Sequence, residues 1–100
     1  MIRGTTPTHT FKIPLDVSGV KSVMVIYGQN NVEVFRKETD DCTLEGNSIS
    51  VTLTQEETLK FNHSHNVQIQ IRVLTVTGNA LASDIKVVTV GQCLNSEVLA

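Results

Sequence analysis

The sequence predicts an all-β chain, an immunoglobulin-like antiparallel β-sandwich of six to seven strands with one short helical turn at about 55–61. Three observations predict it. Val, Ile and Thr number 14, 7 and 12, while Ala and Leu together number 11; branching at Cβ costs rotamer freedom in a helix but suits a pleated sheet. Apolar and polar residues alternate in short runs, most clearly where Val67, Ile69, Ile71 and Val73 interleave with Gln68, Gln70 and Arg72. Gly, Pro and Asn then punctuate these runs at strand-like intervals. A chain of 100 residues and 10.9 kDa is one domain, 1–100, with two sheets face to face as its simplest packing. No Trp is present, so the Cys…Trp…Cys signature of antibody domains is missing, and an open barrel is the alternative architecture.

The first strand is expected over Thr8 to Leu15, with Phe11, Ile13 and Leu15 on one face; Pro14 cannot donate to a ladder and marks an edge or bulge. Asp16 to Gly19 turns the chain into a strand from Val20 to Gln29, where Val23, Val25 and Tyr27 share one face and Met24 and Ile26 the other. Asn tolerates positive φ, so Asn30-Asn31 predicts a tight hairpin into Val32 to Lys37, with Val32 and Val34 opposite Glu33 and Phe35. After a polar corner at Glu38 to Asp41, Cys42-Thr43-Leu44 makes a short segment and Glu45-Gly46-Asn47 turns. Ile49, Val51 and Leu53 then point inward from Ser48 to Thr54, with Ser50 and Thr52 outward. Thr54-Gln55-Glu56-Glu57 has the form of a capping box, which starts the helical turn and explains the paired carboxylates better than catalysis does. Asn62 to Asn66 is a loop, Thr77-Gly78-Asn79 a turn, Leu81 to Val90 the last long strand, and Gly91 to Ala100 a tail.

The net charge of −2 excludes a generally basic nucleic-acid binder. No apolar run approaches the roughly 20 residues that cross a bilayer. Met1 to Pro7 lacks the apolar stretch and small-residue cleavage site of a signal peptide, so a cytoplasmic chain, or one assembled there into something larger, is expected. Cys42 and Cys93 form no C-x-x-C pair and read as free, mostly buried thiols.

Chemistry-bearing constellations are few. His63-Ser64-His65 has a spacing that suits zinc or copper, with Cys42, Cys93 and His9 as candidate further ligands. There is no nucleophile elbow or glycine-rich phosphate cradle, and no enzyme activity or cofactor is expected. Four aromatics, Phe11, Tyr27, Phe35 and Phe61, are too few for a base-stacking platform. The stronger signal is apolar residues where a wet face is due. Met24, Ile26, Leu74 and Val88 are expected to form an interaction surface, because contiguous exposed apolar area marks protein–protein contact. A carbohydrate- or ligand-binding module, with Tyr27 as its aromatic, and a metal-binding protein built on His63 and His65 are the alternatives.

Three stretches carry a resemblance: Ile2 to Phe11; Leu53-Thr54-Gln55-Glu56-Glu57-Thr58-Leu59; and Val67 to Val73 together with Ala82-Ser83-Asp84-Ile85 and the valines after it. Together they resemble small proteins encoded in phages and prophages of Gram-positive bacteria, similar to the N-terminal β-sandwich domain of baseplate upper proteins. The likeness spans nearly the whole chain and implies a virion-associated structural role in a tail or baseplate rather than a reaction. It implies partners that are copies of the chain or other virion proteins, with no nucleic acid and no membrane, in the virion or in the host cytoplasm during assembly. It carries over no catalytic residue. Longer relatives of this kind have a C-terminal extension that contacts a host or a receptor-binding protein, and nothing in this sequence corresponds to it.

Overall fold

Asn30 and Asn31 both take positive φ, 53° and 61°, the backbone of a two-residue hairpin whose twist matches that of its strands. That hairpin is the spine of a computed structural model describing residues 1–100. Its strands are β1 (Thr8–Lys12), β2 (Val20–Gln29), β3 (Val32–Glu38), β4 (Cys42–Glu45), β5 (Ser48–Thr52), β6 (Val67–Thr75), β7 (Ala80–Ala82) and β8 (Lys86–Val88), with helix α1 (Gln55–Leu59) between β5 and β6. They form two antiparallel sheets. The smaller has the order β1-β5-β4; the larger has β3-β2-β6, with both β7 and β8 paired to β6.

Twelve buried apolar residues from both sheets form one cluster, with Val23, Val25 and Tyr27 of β2 and Val67 to Val73 of β6 facing Ile49, Val51 and Leu53 of β5 and the segment after it. Tyr27, Phe35 and Phe61 gather within it, the first two stacked with ring centroids 5.0 Å apart. The capping box forms as expected: Glu57 N–H donates to Thr54 Oγ1 at 3.1 Å and Thr54 N–H to Glu57 Oε1 at 2.8 Å. The helix is shorter than the expected turn, ending at Leu59, but Phe61 beyond it is 1% exposed and anchors the crossing. The Thr58 hydroxyl donates to Thr5 O at 2.8 Å and accepts from Gly4 N–H at 2.9 Å, which ties the N-terminal segment to α1.

Two edge strands depart from plain alternation. In β3, Tyr27 pairs with Phe35 and Gly28 with Glu33, so Val34 is an extra residue. The backbones crowd there, where a Cβ on Gly28 would lie 2.8 Å from Val32 O. Beyond the bulge, Phe35 and Lys37 both take inward positions. The expected strand Leu81 to Val90 is likewise two pieces. Arg72 pairs with Ala82 but Ile69 with Lys86, so the returning chain carries one extra residue. Ser83 holds the break: Ile71 N–H donates to its hydroxyl at 3.1 Å, and Gln70 Nε2 donates to its carbonyl at 2.9 Å. The result is eight strand segments rather than six or seven. The first strand also stops at Lys12 rather than Leu15, although Ile13 N–H still donates to Asn47 O at 2.9 Å.

Candidate protein interface on the larger sheet

Cross-strand register fixes what the larger sheet shows to its outside. One row reads Glu38, Met24, Arg72 and Ala82 across β3, β2, β6 and β7. The next reads Arg36, Ile26 and Gln70; on one side Leu74 sits beside Ala80, and on the other Gln68 beside Val87. Met24, Ile26 and Leu74, expected on this face, are on it and half-buried among their neighbours. Met24, Leu74 and Ala80 line one shallow groove with Glu38 and Arg72; Ile26, Val32 and Ile85 line another with Gln68 and Gln70.

Val88 is not part of this surface. It pairs with the buried Val67 and packs against the core. The extra residue near Ser83 shifts the side-chain parity of β8 by one, which turns Val88 inward and Val87 outward. Exposed apolar side chains near this face that alternation alone does not single out include Val32 (65% exposed), Val87 (59%) and Ile85 (52%). Their signal was an apolar residue at an edge, but only a known register says which face it serves.

The opposite outer face is different in kind. Thr8 pairs with Thr52, Thr10 with Ser50 and Ser50 with Thr43, so hydroxyls run across all three strands of the smaller sheet. Thr8 and Thr52 hydroxyls lie 2.7 Å apart, those of Thr10 and Ser50 3.0 Å.

Between the sheets lies a group of polar side chains. His9 Nδ1 and the hydroxyl of the buried Tyr27 share a hydrogen bond of 2.7 Å across the two sheets. Lys37 Nζ meets Glu57 Oε1 at 2.7 Å, with side chains only 11% and 19% exposed. Burial lowers the pKa of His9, with the N-terminal charge adding to it. Burial raises the Tyr27 hydroxyl well above its ordinary value, helped by Cys42 and Glu57. For Glu57, burial pushes upward, but the hydrogen bond from Lys37, the Thr54 amide and the Lys37 charge outweigh it and leave the carboxyl below its ordinary value. The Cys42 thiol is raised by burial and then by Asp41, against the opposing pull of Lys37, which makes it a poor nucleophile at neutral pH. The His9–Tyr27 bond ties one sheet to the other, and the Lys37–Glu57 pair ties β3 to α1.

The other candidates are dispersed. His63 and His65 lie in an exposed turn within the expected loop, and no three His, Cys, Asp or Glu side chains converge anywhere as a ligand set. His9 is turned to Tyr27 instead. Cys42 and Cys93 form no disulfide and are half-buried, and the Cys93 thiol donates to Asn95 O at 2.9 Å. Glu56 is exposed while Glu57 serves the cap and Lys37, so the two carboxylates have separate surroundings. Tyr27, on which a sugar-binding face would rest, is 0% exposed. No helix is long and apolar enough to cross a membrane.

No family model, curated protein or solved structure matches the chain.

Proposed function

We propose that this chain is a phage or prophage structural protein, a tail or baseplate component with an immunoglobulin-like sandwich fold that works by protein–protein contact and not by catalysis. The observation that carries the reading is the outer face of the larger sheet. Met24, Ile26 and Leu74 occupy it, with Ile85 and Val87 exposed beside them, and no helix of this fold is available to cover them. The sequence resemblance supplies the setting in a virion.

The test is physical association with particles. The tagged chain is expressed in a bacterium carrying the phage or prophage that encodes it, the phage is induced, and particles are separated on a density gradient. The expected result is co-sedimentation of the chain with tailed particles or isolated baseplates. Recovery only at the top of the gradient, across both fractions and assembly intermediates, overturns the proposal.

A further inference from the structure

The row Glu38–Met24–Arg72 has a property that names a partner. Met24 is at its centre, with an acid one strand away on β3 and a base one strand away on β6. Neighbouring strands lie about 4.8 Å apart, so acid and base are separated by about 10 Å. The molecule makes two ion pairs, Arg36–Glu33 and Lys37–Glu57, and neither Glu38 nor Arg72 belongs to them.

We propose that the partner of this face is a second copy of the same chain, related by a two-fold axis that lies along β2. The proposal rests on the reading of this face as an interface. Rotation by half a turn about an axis in the sheet plane exchanges the two sides of the row. Met24 then meets Met24 and Ile26 meets Ile26, Glu38 of each copy lies over Arg72 of the other, and Arg36 lies over Gln70. Both ion pairs form at once, which is the self-complementarity an isologous interface requires. Gln70 suits the second row, because its Nε2 is committed to Ser83 O and its Oε1 remains to accept from Arg36. Sheets stacked in this way cross at about 30°, an angle reached with the axis tilted about 15° from β2. An axis perpendicular to the strands would instead set Glu38 over Glu38 and Arg72 over Arg72, with like charges repelling.

Sedimentation equilibrium on four proteins tests this. Wild type is expected to be in monomer–dimer equilibrium. E38R and R72E each place like charges across the axis, and each is expected to weaken the dimer at least about tenfold. Mixing E38R with R72E in equal amounts restores two attractive pairs in the heterodimer, and the E38R/R72E double variant restores them in the homodimer. Circular dichroism shows that each variant is folded, and the milder E38Q and R72Q serve if a reversal is not. Wild type remaining monomeric at about 1 mM overturns the inference, while co-sedimentation with particles would still uphold the broader proposal. A wild-type dimer that charge reversal does not weaken, or that mixing does not rescue, overturns this geometry and leaves the face open to another mode of self-association.

Discussion

The two outer faces of this molecule are made by the same kind of backbone, but only one of them carries large apolar side chains along its central strands. On the smaller sheet the outward positions are Thr8, Thr10, Thr43, Ser48, Ser50 and Thr52, with Lys12 and Glu45 at one end. On the larger sheet Met24, Ile26, Leu74, Ala80, Ala82 and Val87 share the outward positions with Arg36, Glu38, Gln68, Gln70 and Arg72. Thr is branched at Cβ like Val and Ile and brings the same preference for a pleated strand without the apolar surface. The smaller sheet therefore demonstrates that this fold can be built with a wet exterior. Strand formation does not require the apolar residues of the larger one, so their role is sought in contact with something else.

That contrast can be broken by measuring what each face contributes to stability. The inward baseline is Ile49→Ala, where a side chain 0% exposed is truncated; urea unfolding is expected to show a loss of about 2–5 kcal/mol. Ile26→Thr on the outer face keeps the branched Cβ and is expected to change stability by no more than about 0.5 kcal/mol while reducing self-association. A cost near that of Ile49→Ala would make the larger sheet's exterior structural and end the distinction. Next in size is Glu57→Gln, which leaves the Lys37 ammonium without its carboxylate in a site mostly closed to water. It should cost about 1–3 kcal/mol in the same assay.

The polar interior gives a pH test of the same sheets. His9 has a folded pKa below its unfolded value, so the unfolded chain binds the proton first. Its contribution is present above about pH 6.5 and is lost as pH falls toward the lower folded value. Glu57, also lowered, contributes above its unfolded range and loses that contribution in more acid solution. Urea midpoints should therefore decline from pH 7 to pH 5, and His9→Gln should flatten that part of the curve. An unchanged slope in His9→Gln assigns the decline elsewhere. The smallest effect belongs to the wet face: Thr8→Ala removes the 2.7 Å hydroxyl pair with Thr52, for about 0.2–1 kcal/mol and no change in association state.

Much of this fold was legible in the sequence because its long strands are regular. The β2 strand spans the expected Val20–Gln29, the Asn30-Asn31 turn adopts the positive φ angles its residues favour, and Thr54 and Glu57 form the cap their spacing predicts. The departures in which face a residue serves share one physical origin. Alternation reports which face a residue serves only while the register is unbroken, and both edge strands of the larger sheet break it by one residue. Inward Lys37 lies beyond the bulge at Val34, and inward Val88 lies beyond the one at Ser83. Met24 and Ile26 lie clear of both bulges and keep the outward position that alternation gives them, and Leu74 keeps it beside a further register shift between Val20 and Ser22. The cross-sheet bond between His9 and Tyr27 had no local signal, since residues 18 apart meet only when the sheets close.

Ile2 and Gly91 form a parallel bridge, with Gly91 N–H donating to Met1 O at 2.6 Å and Arg3 N–H to Gly91 O at 3.1 Å. Because the two segments run the same way, tension drawing the chain backward from residue 1 and forward from residue 91 slides them past each other. Both hydrogen bonds then resist together, where a hairpin pulled at its open end would lose its bonds singly. The stretch of chain from residue 3 to residue 89, both sheets included, is shielded from that tension until the clasp yields.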